Sequence, residues 1–164
     1  MIALSMLNMT IMSCFQGLVV EPQQVSVWEV CFSPHSWLTT ACMQEGLSCQ
    51  RINLANGFDF SKPATFEKMT HLYQLQRPKR LWISMRCTLW CPWTSVNYNT
   101  EARQEVLETK RRHERQVLRR MVQWLLDNVL KDPSVHVYWE WPARCLGWHQ
   151  SSLQLLADKL FEGD

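Results

Sequence analysis

The feature that most constrains this chain is an alternation. After Pro22, short apolar runs of strand character are separated by longer amphipathic segments, and such a chain must pass from strand to helix and back again. VSVWEVCF (Val25–Phe32), LSCQRIN (Leu47–Asn53), RLWISM (Arg80–Met85) and SVHVYWEW (Ser134–Trp141) read as four strands. Ser36 is placed to cap a helix running to about Gln44, which Gly46 ends. The loop LANGFDFSKP carries the turn signals Asn56-Gly57 and Pro63. Ala64 to Gln76 reads as a helix that Pro78 stops. A long helix is expected from about Thr100 to Leu130, and a last one from Ser151 to Phe161. In the long helix Val117, Leu118, Met121, Val122, Leu125, Leu126 and Val129 keep to one face, so its second half is expected to be buried and its first half solvated. Strands joined through helices pair in parallel by right-handed crossovers, which predicts an open, doubly wound, mostly parallel α/β sheet with helices on both faces.

The chain of 164 residues is the size of one ordinary domain, residues 25–164, with enough apolar content for a sizeable core. Residues 1–24 form an apolar leader. Asn8 and Gln16 interrupt it, no basic residue precedes it, and it is too broken for a membrane span. A poorly ordered leader is the preferred reading and a cleaved signal the lesser one. A net charge of +2 creates no global field that demands nucleic acid or membrane. Seven cysteines, an odd number at irregular spacing, argue for reduced thiols and an intracellular protein, nuclear or cytoplasmic, over a secreted disulfide scaffold. Nine tryptophans, several beside Pro, Cys or Asn, suggest rigid aromatic walls near loops or core packing.

In a doubly wound sheet, ligands bind outside the carboxyl ends of the strands. Each expected strand here runs into a polar loop: Cys31 to Ser36, Asn53 to Asp59, Arg86 to Asn99, and Glu140 to Arg144. The third, in LWISMRCTLWCPWTSVNYN, is the densest in reactive groups, with Cys87 and Cys91 past a strand end.

The order of strand, small-residue turn, helix, then a strand ending in Ser84-x-x-Cys87-Thr88, then a strand closing on Glu140-x-Pro142, resembles the Rossmann-like class I S-adenosylmethionine-dependent methyltransferases. The cytosine-C5 DNA branch is the most similar, and VWEVCFSPHSWLT, GFDF, CTLWCPW and YWEWP are similar to divergent domains of that kind in retroelement polyproteins. The resemblance implies that Cys87 is a nucleophile adding to C6 of a flipped-out cytosine and that Glu140 steadies the adduct at N3. It implies Arg86, Asn97 and Arg144 as substrate contacts. It implies Ser33, Ser36, Asn53 and Asp59 as contacts to S-adenosylmethionine. The chain ends before the last strands of a complete methyltransferase sheet, so a truncated form of the fold is expected.

Blander roles stand beside these. Cys87 could be a small buried residue. Glu140 could pair with Arg144 or Arg86. Ser33 and Asn53 could be turn and cap residues. Cys87-x-x-x-Cys91 with Cys31-x-x-x-His35 could hold zinc, with His71, Cys42, Cys49 and Cys145 as further candidates, but the spacing is permissive only and no metal is assigned. The run KRRHERQVLRR, with Arg111, Arg112, Arg115 and Arg119, reads as a solvated helical face or as a surface that tracks DNA or RNA phosphates.

Overall fold

The computed structural model describes residues 24–31 and 36–161. Residues 1–23 and 32–35, Ser33 and His35 among them, lie outside the described residues, and so does the side chain of Cys31. Four strands, β1 (Val27–Cys31), β2 (Cys49–Ile52), β3 (Arg80–Ser84) and β4 (His136–Trp139), form one sheet in the order β2-β1-β3-β4. Every pairing is parallel. The helices are α1 (Trp37–Gln44), α2 (Pro63–Gln76), α3 (Thr94–Asn97), α4 (Glu101–Asn128) and α5 (Ser151–Phe161). The expected doubly wound α/β fold is therefore present. Only the short α3 and the single 3-10 turns fall outside the helical periodicity of the sequence.

Side chains alternate across the sheet, so each strand presents two faces. Trp28 is fully buried, stacked on Trp124 of α4 at 6.2 Å and edge-on to Tyr73 of α2 at 5.8 Å. Its neighbour Glu29 points the other way and accepts hydrogen bonds from Ser36, at the start of α1, and from Thr39 within it. α2 and α4 thus cover one face and α1 the other. This is what constant crossover handedness requires when the chain moves from β1 outward to β2 and then back across to β3.

The first face is the core. Trp28, Val30, Ile52, Leu81 and Ile83 meet Met69, Met121, Leu125 and Val129, all fully buried. The buried indole N–H groups find partners, Trp28 Nε1 on Gln76 Oε1 at 2.7 Å and Trp124 Nε1 on Thr70 Oγ1 at 2.9 Å. Hydrophobic burial on this scale, about 25 cal/mol per Å² of apolar surface, is the main term holding the helices to the sheet. α5 packs on α4 through Leu153 and Leu156.

The expected helix boundaries hold to within a residue or two. Ser36 Oγ accepts from Leu38 N at 3.2 Å as the amino-terminal cap of α1, and Thr100 does the same for α4 through Arg103 N at 3.4 Å. Gly46, past the end of α1, has a φ of +74°, a left-handed conformation that glycine adopts without strain.

Candidate functional site at the carboxyl edge of the sheet

The strand order reverses direction at β1, so the crevice between the ends of β1 and β3 is the topological switch point. β3 and β4 end side by side next to it. Glu140 N donates to Ile83 O at 2.8 Å, which carries the ladder one step past β4, and Trp141 Nε1 donates to Met85 O at 2.7 Å. The loop that bears Cys87 and the loop that bears Glu140 therefore leave the sheet together.

The loop after β3 is built, not slack. Trp90 is buried, and Thr94 Oγ1 donates to Cys91 O at 2.8 Å. α4 clasps the loop from outside. Arg111 Nε donates to Leu89 O at 2.9 Å, and the guanidinium carbons of Arg111 and Arg115 lie 5.2 and 5.7 Å from the centre of the Trp90 ring. Arg115 also pairs with Glu108, and Lys110 Nζ reaches Tyr98 Oη at 3.2 Å. Farther along, Arg120 donates to Ser61 O at 2.7 Å. The first half of α4 is mostly exposed, as expected, with Leu107 buried and Arg111 half-buried against the loop. Of the four arginines assigned to nucleic acid, Arg111 and Arg115 brace the loop, while Arg112 and Arg119 are exposed.

The loop after β4 rests on tryptophans. Trp139, Trp141 and Trp148 meet in successive edge-to-face contacts at 5.6 and 5.5 Å, and Trp148 Nε1 donates to Pro142 O at 2.9 Å. Gly147 lies against Trp141. A Cβ there would stand 2.3 Å from its Cζ3, so only glycine fits. Cys145 is buried under this loop. Burial pushes its thiol up, and the nearby Cys87 and Cys91 push the same way. Cys87 and Cys91 in the loop after β3 thus act on Cys145 in the loop after β4. Even so, among the described residues no three His, Cys, Asp or Glu side chains are placed to share a metal ion.

Cys87 is half-buried against the core, while Arg86 beside it is exposed and its charge acts on Glu114 of α4. Burial pushes the Glu114 carboxyl up, and the Arg86 guanidinium opposes that shift. Glu140 is exposed and accepts the Trp82 indole N–H at 2.9 Å on the α1 face of the sheet. The sequence offered Arg144 or Arg86 as the partner of this carboxylate. Strand alternation turns the Trp139 and Trp141 rings to the opposite face, and Trp82 of the neighbouring strand donates to it instead. Arg144 and Asn97 are exposed at the same edge.

On the cofactor side Ser33 lies outside the described residues, and the other three side chains are committed locally. Ser36 caps α1 and bonds Glu29. Asn53 is buried and its Oδ1 accepts from Asn56 N at 3.0 Å, capping the turn before Gly57. Asp59 Oδ1 accepts from Ser61 N at 3.1 Å and Ser61 Oγ at 2.7 Å, and these bonds hold its carboxyl below the usual range.

Sequence reasoning passed over Glu29, a buried carboxylate held by Ser36, Thr39 and, at 3.5 Å, Arg51 Nε. A charge inside the apolar run VWEVCF was the available signal. Among the described residues, no helix is long and apolar enough to cross a membrane. No family model, no curated protein and no solved structure matches the chain.

Proposed function

We propose that this chain is a methyltransferase-like module that binds DNA or RNA at the carboxyl edge of its sheet, between the loops after β3 and β4. One observation carries the reading. Cys87 and Glu140 leave adjacent parallel strands in loops that are hydrogen-bonded to each other, with Arg86 and Arg144 exposed beside them. A base reached by both residues would sit at that junction, and the arginines would meet its flanking phosphates.

The binding half of the reading has more support than methyl transfer. S-adenosylmethionine would supply an electrophilic methyl group, but Ser36, Asn53 and Asp59 each have a local partner already. That favours a non-catalytic nucleic-acid-binding module on the same sheet as the second reading, and a mobile-element polyprotein, with a nuclear or cytoplasmic setting, remains the context the resemblance implies.

Anisotropy titrations with single- and double-stranded DNA and RNA test the proposal. Binding should weaken steeply with salt, and Arg86→Ala or Arg144→Ala should each reduce the log–log salt slope by about 1. Absence of binding at low salt would overturn it. Calorimetry with S-adenosylmethionine separates the two readings: heat of binding favours the methyltransferase, and none at millimolar cofactor favours the binding module.

A further inference from the structure

Parallel sheets are covered on both faces, because their strands carry apolar side chains on each. Among the described residues the second face is covered only over β1 and β2, and thinly. α1 has no buried residue, and its Trp37 is 88% exposed. Across the middle of this face runs the register row Arg51, Glu29, Trp82, Tyr138. Its outer half lies open among the described residues. Trp82 and Tyr138 stack at 5.6 Å and 25°, and Tyr138 is 42% exposed. Arg80 and His136 border the pair on one side and Glu140 on the other. An apolar centre with a polar rim has the anatomy of an interface.

We propose that the apolar leader of this same chain, within residues 1–20, docks on Trp82 and Tyr138 and supplies the missing half-layer of that face. Three observations select this occupant. The leader MIALSMLNMTIMSCFQGLVV has no charged residue and is dominated by Met, Leu, Ile, Val and Phe, the composition an aromatic sheet face accepts. It joins the fold at the amino edge of the sheet, where Val25 N donates to Gln76 O and Ser26 N to Ser48 O, at the foot of β1. From there the β3–β4 face is two strand spacings away, about 10 Å, well within the reach of twenty residues, which span about 30 Å even as a helix. The rim is also balanced in charge, with Arg80 set against Glu140, and offers no basic surplus to a phosphate backbone. Tethering favours the leader over a partner in solution by raising its local concentration. The proposal concerns the sheet face rather than its carboxyl edge and does not rest on the nucleic-acid reading.

Radical footprinting of the full chain, read by mass spectrometry at individual tyrosines and tryptophans, tests this. Tyr138 and Trp82 should label severalfold more slowly in the wild-type chain than in the full-length double variant Leu4→Glu/Ile11→Glu. The buried Tyr73 should stay unreactive in both, which reports an intact fold. Tyr138 that labels in the wild-type chain as fast as tyrosine in a free peptide would overturn the proposal, whatever the variant does. Protection that vanishes on dilution would assign the face to a second copy, and protection that appears only with added oligonucleotide would assign it to nucleic acid; either outcome rejects the leader.

Discussion

Arg111 of α4 lies over the ring of Trp90 at 5.2 Å while its Nε donates to the carbonyl of Leu89 at 2.9 Å. One guanidinium therefore fixes the loop after β3 through a cation–π contact and a backbone acceptor, and its Nη2 also donates to Thr94 Oγ1 at 3.4 Å. Removing it takes the brace from the loop that carries Cys87. Arg111→Ala is expected to cost about 1–3 kcal/mol and to speed amide exchange from Cys87 to Tyr98. Arg112→Ala, which removes an exposed charge one residue on, should leave both unchanged. Urea denaturation with hydrogen exchange distinguishes them, and equal behaviour of the two variants would refute a bracing role.

Gly147 is expected to be intolerant of any side chain. A Cβ at that position would stand 2.3 Å from Trp141 Cζ3, and Trp141 cannot withdraw without breaking its hydrogen bond to Met85 O. Gly147→Ala should destabilise the fold by about 1–3 kcal/mol, the usual range for overpacking, and should loosen the joint between the loops after β3 and β4. A Trp141→Phe/Gly147→Ala double variant, with a smaller ring, should recover part of that loss in urea denaturation. Additivity of the two changes would show that they do not interact.

The fold was legible because its signals are local and repeated. The runs at Val25, Leu47, Arg80 and Ser134, and the apolar face from Val117 to Val129, each specify an element without reference to the rest of the chain. The site was legible only as a location. Loops at strand ends follow from topology, but what Cys87, Asn53 and Glu140 touch depends on neighbours far away in sequence. Asn53 turned inward to cap a turn that the Asn-Gly pair had marked. Glu140 took Trp82 as its partner, 58 residues away. The basic run could be read only as a whole for the same reason. Charge density along a helix does not say which arginines meet Trp90 and which meet water.

Glu29 anchors the start of α1 to the middle of the sheet through Ser36, Thr39 and Arg51. Glu29→Ala removes the acceptor for two hydroxyls and the ionic partner of Arg51 Nε; the Arg51 side chain is 22% exposed and its Nη2 still donates to Ser36 O at 3.1 Å. Loss of one partner from a fully buried pair costs about 3–5 kcal/mol, and the partial exposure of Arg51 lowers the expectation to about 2–3. The double variant Glu29→Leu/Arg51→Met, which leaves no unpaired charge, should be closer to wild type than Glu29→Ala. Chemical denaturation of the three proteins measures this. A double variant less stable than Glu29→Ala would mean that the hydroxyl bonds, and not the charge pair, dominate.

Cys49 gives the chain a distinctive alkaline response. Burial, joined by the Cys42 thiol and the Glu29 carboxylate, pushes its thiol from 9.0 up to about 11. The folded state thus holds this proton more tightly than the unfolded chain does. The resulting stabilisation is fully present below about pH 9, where both states are protonated, and is lost as pH rises through about 11. Alkylation of Cys49 by iodoacetamide, which needs the thiolate, should accordingly keep accelerating up to about pH 11, where an ordinary thiol would level off near 9. Peptide-resolved mass spectrometry across that range measures the rate at this one cysteine. A plateau near pH 9 would show that the Cys49 thiol is not desolvated between α1 and the sheet. In the Glu29→Gln variant the midpoint should move down, because one of the charges opposing the thiolate is gone.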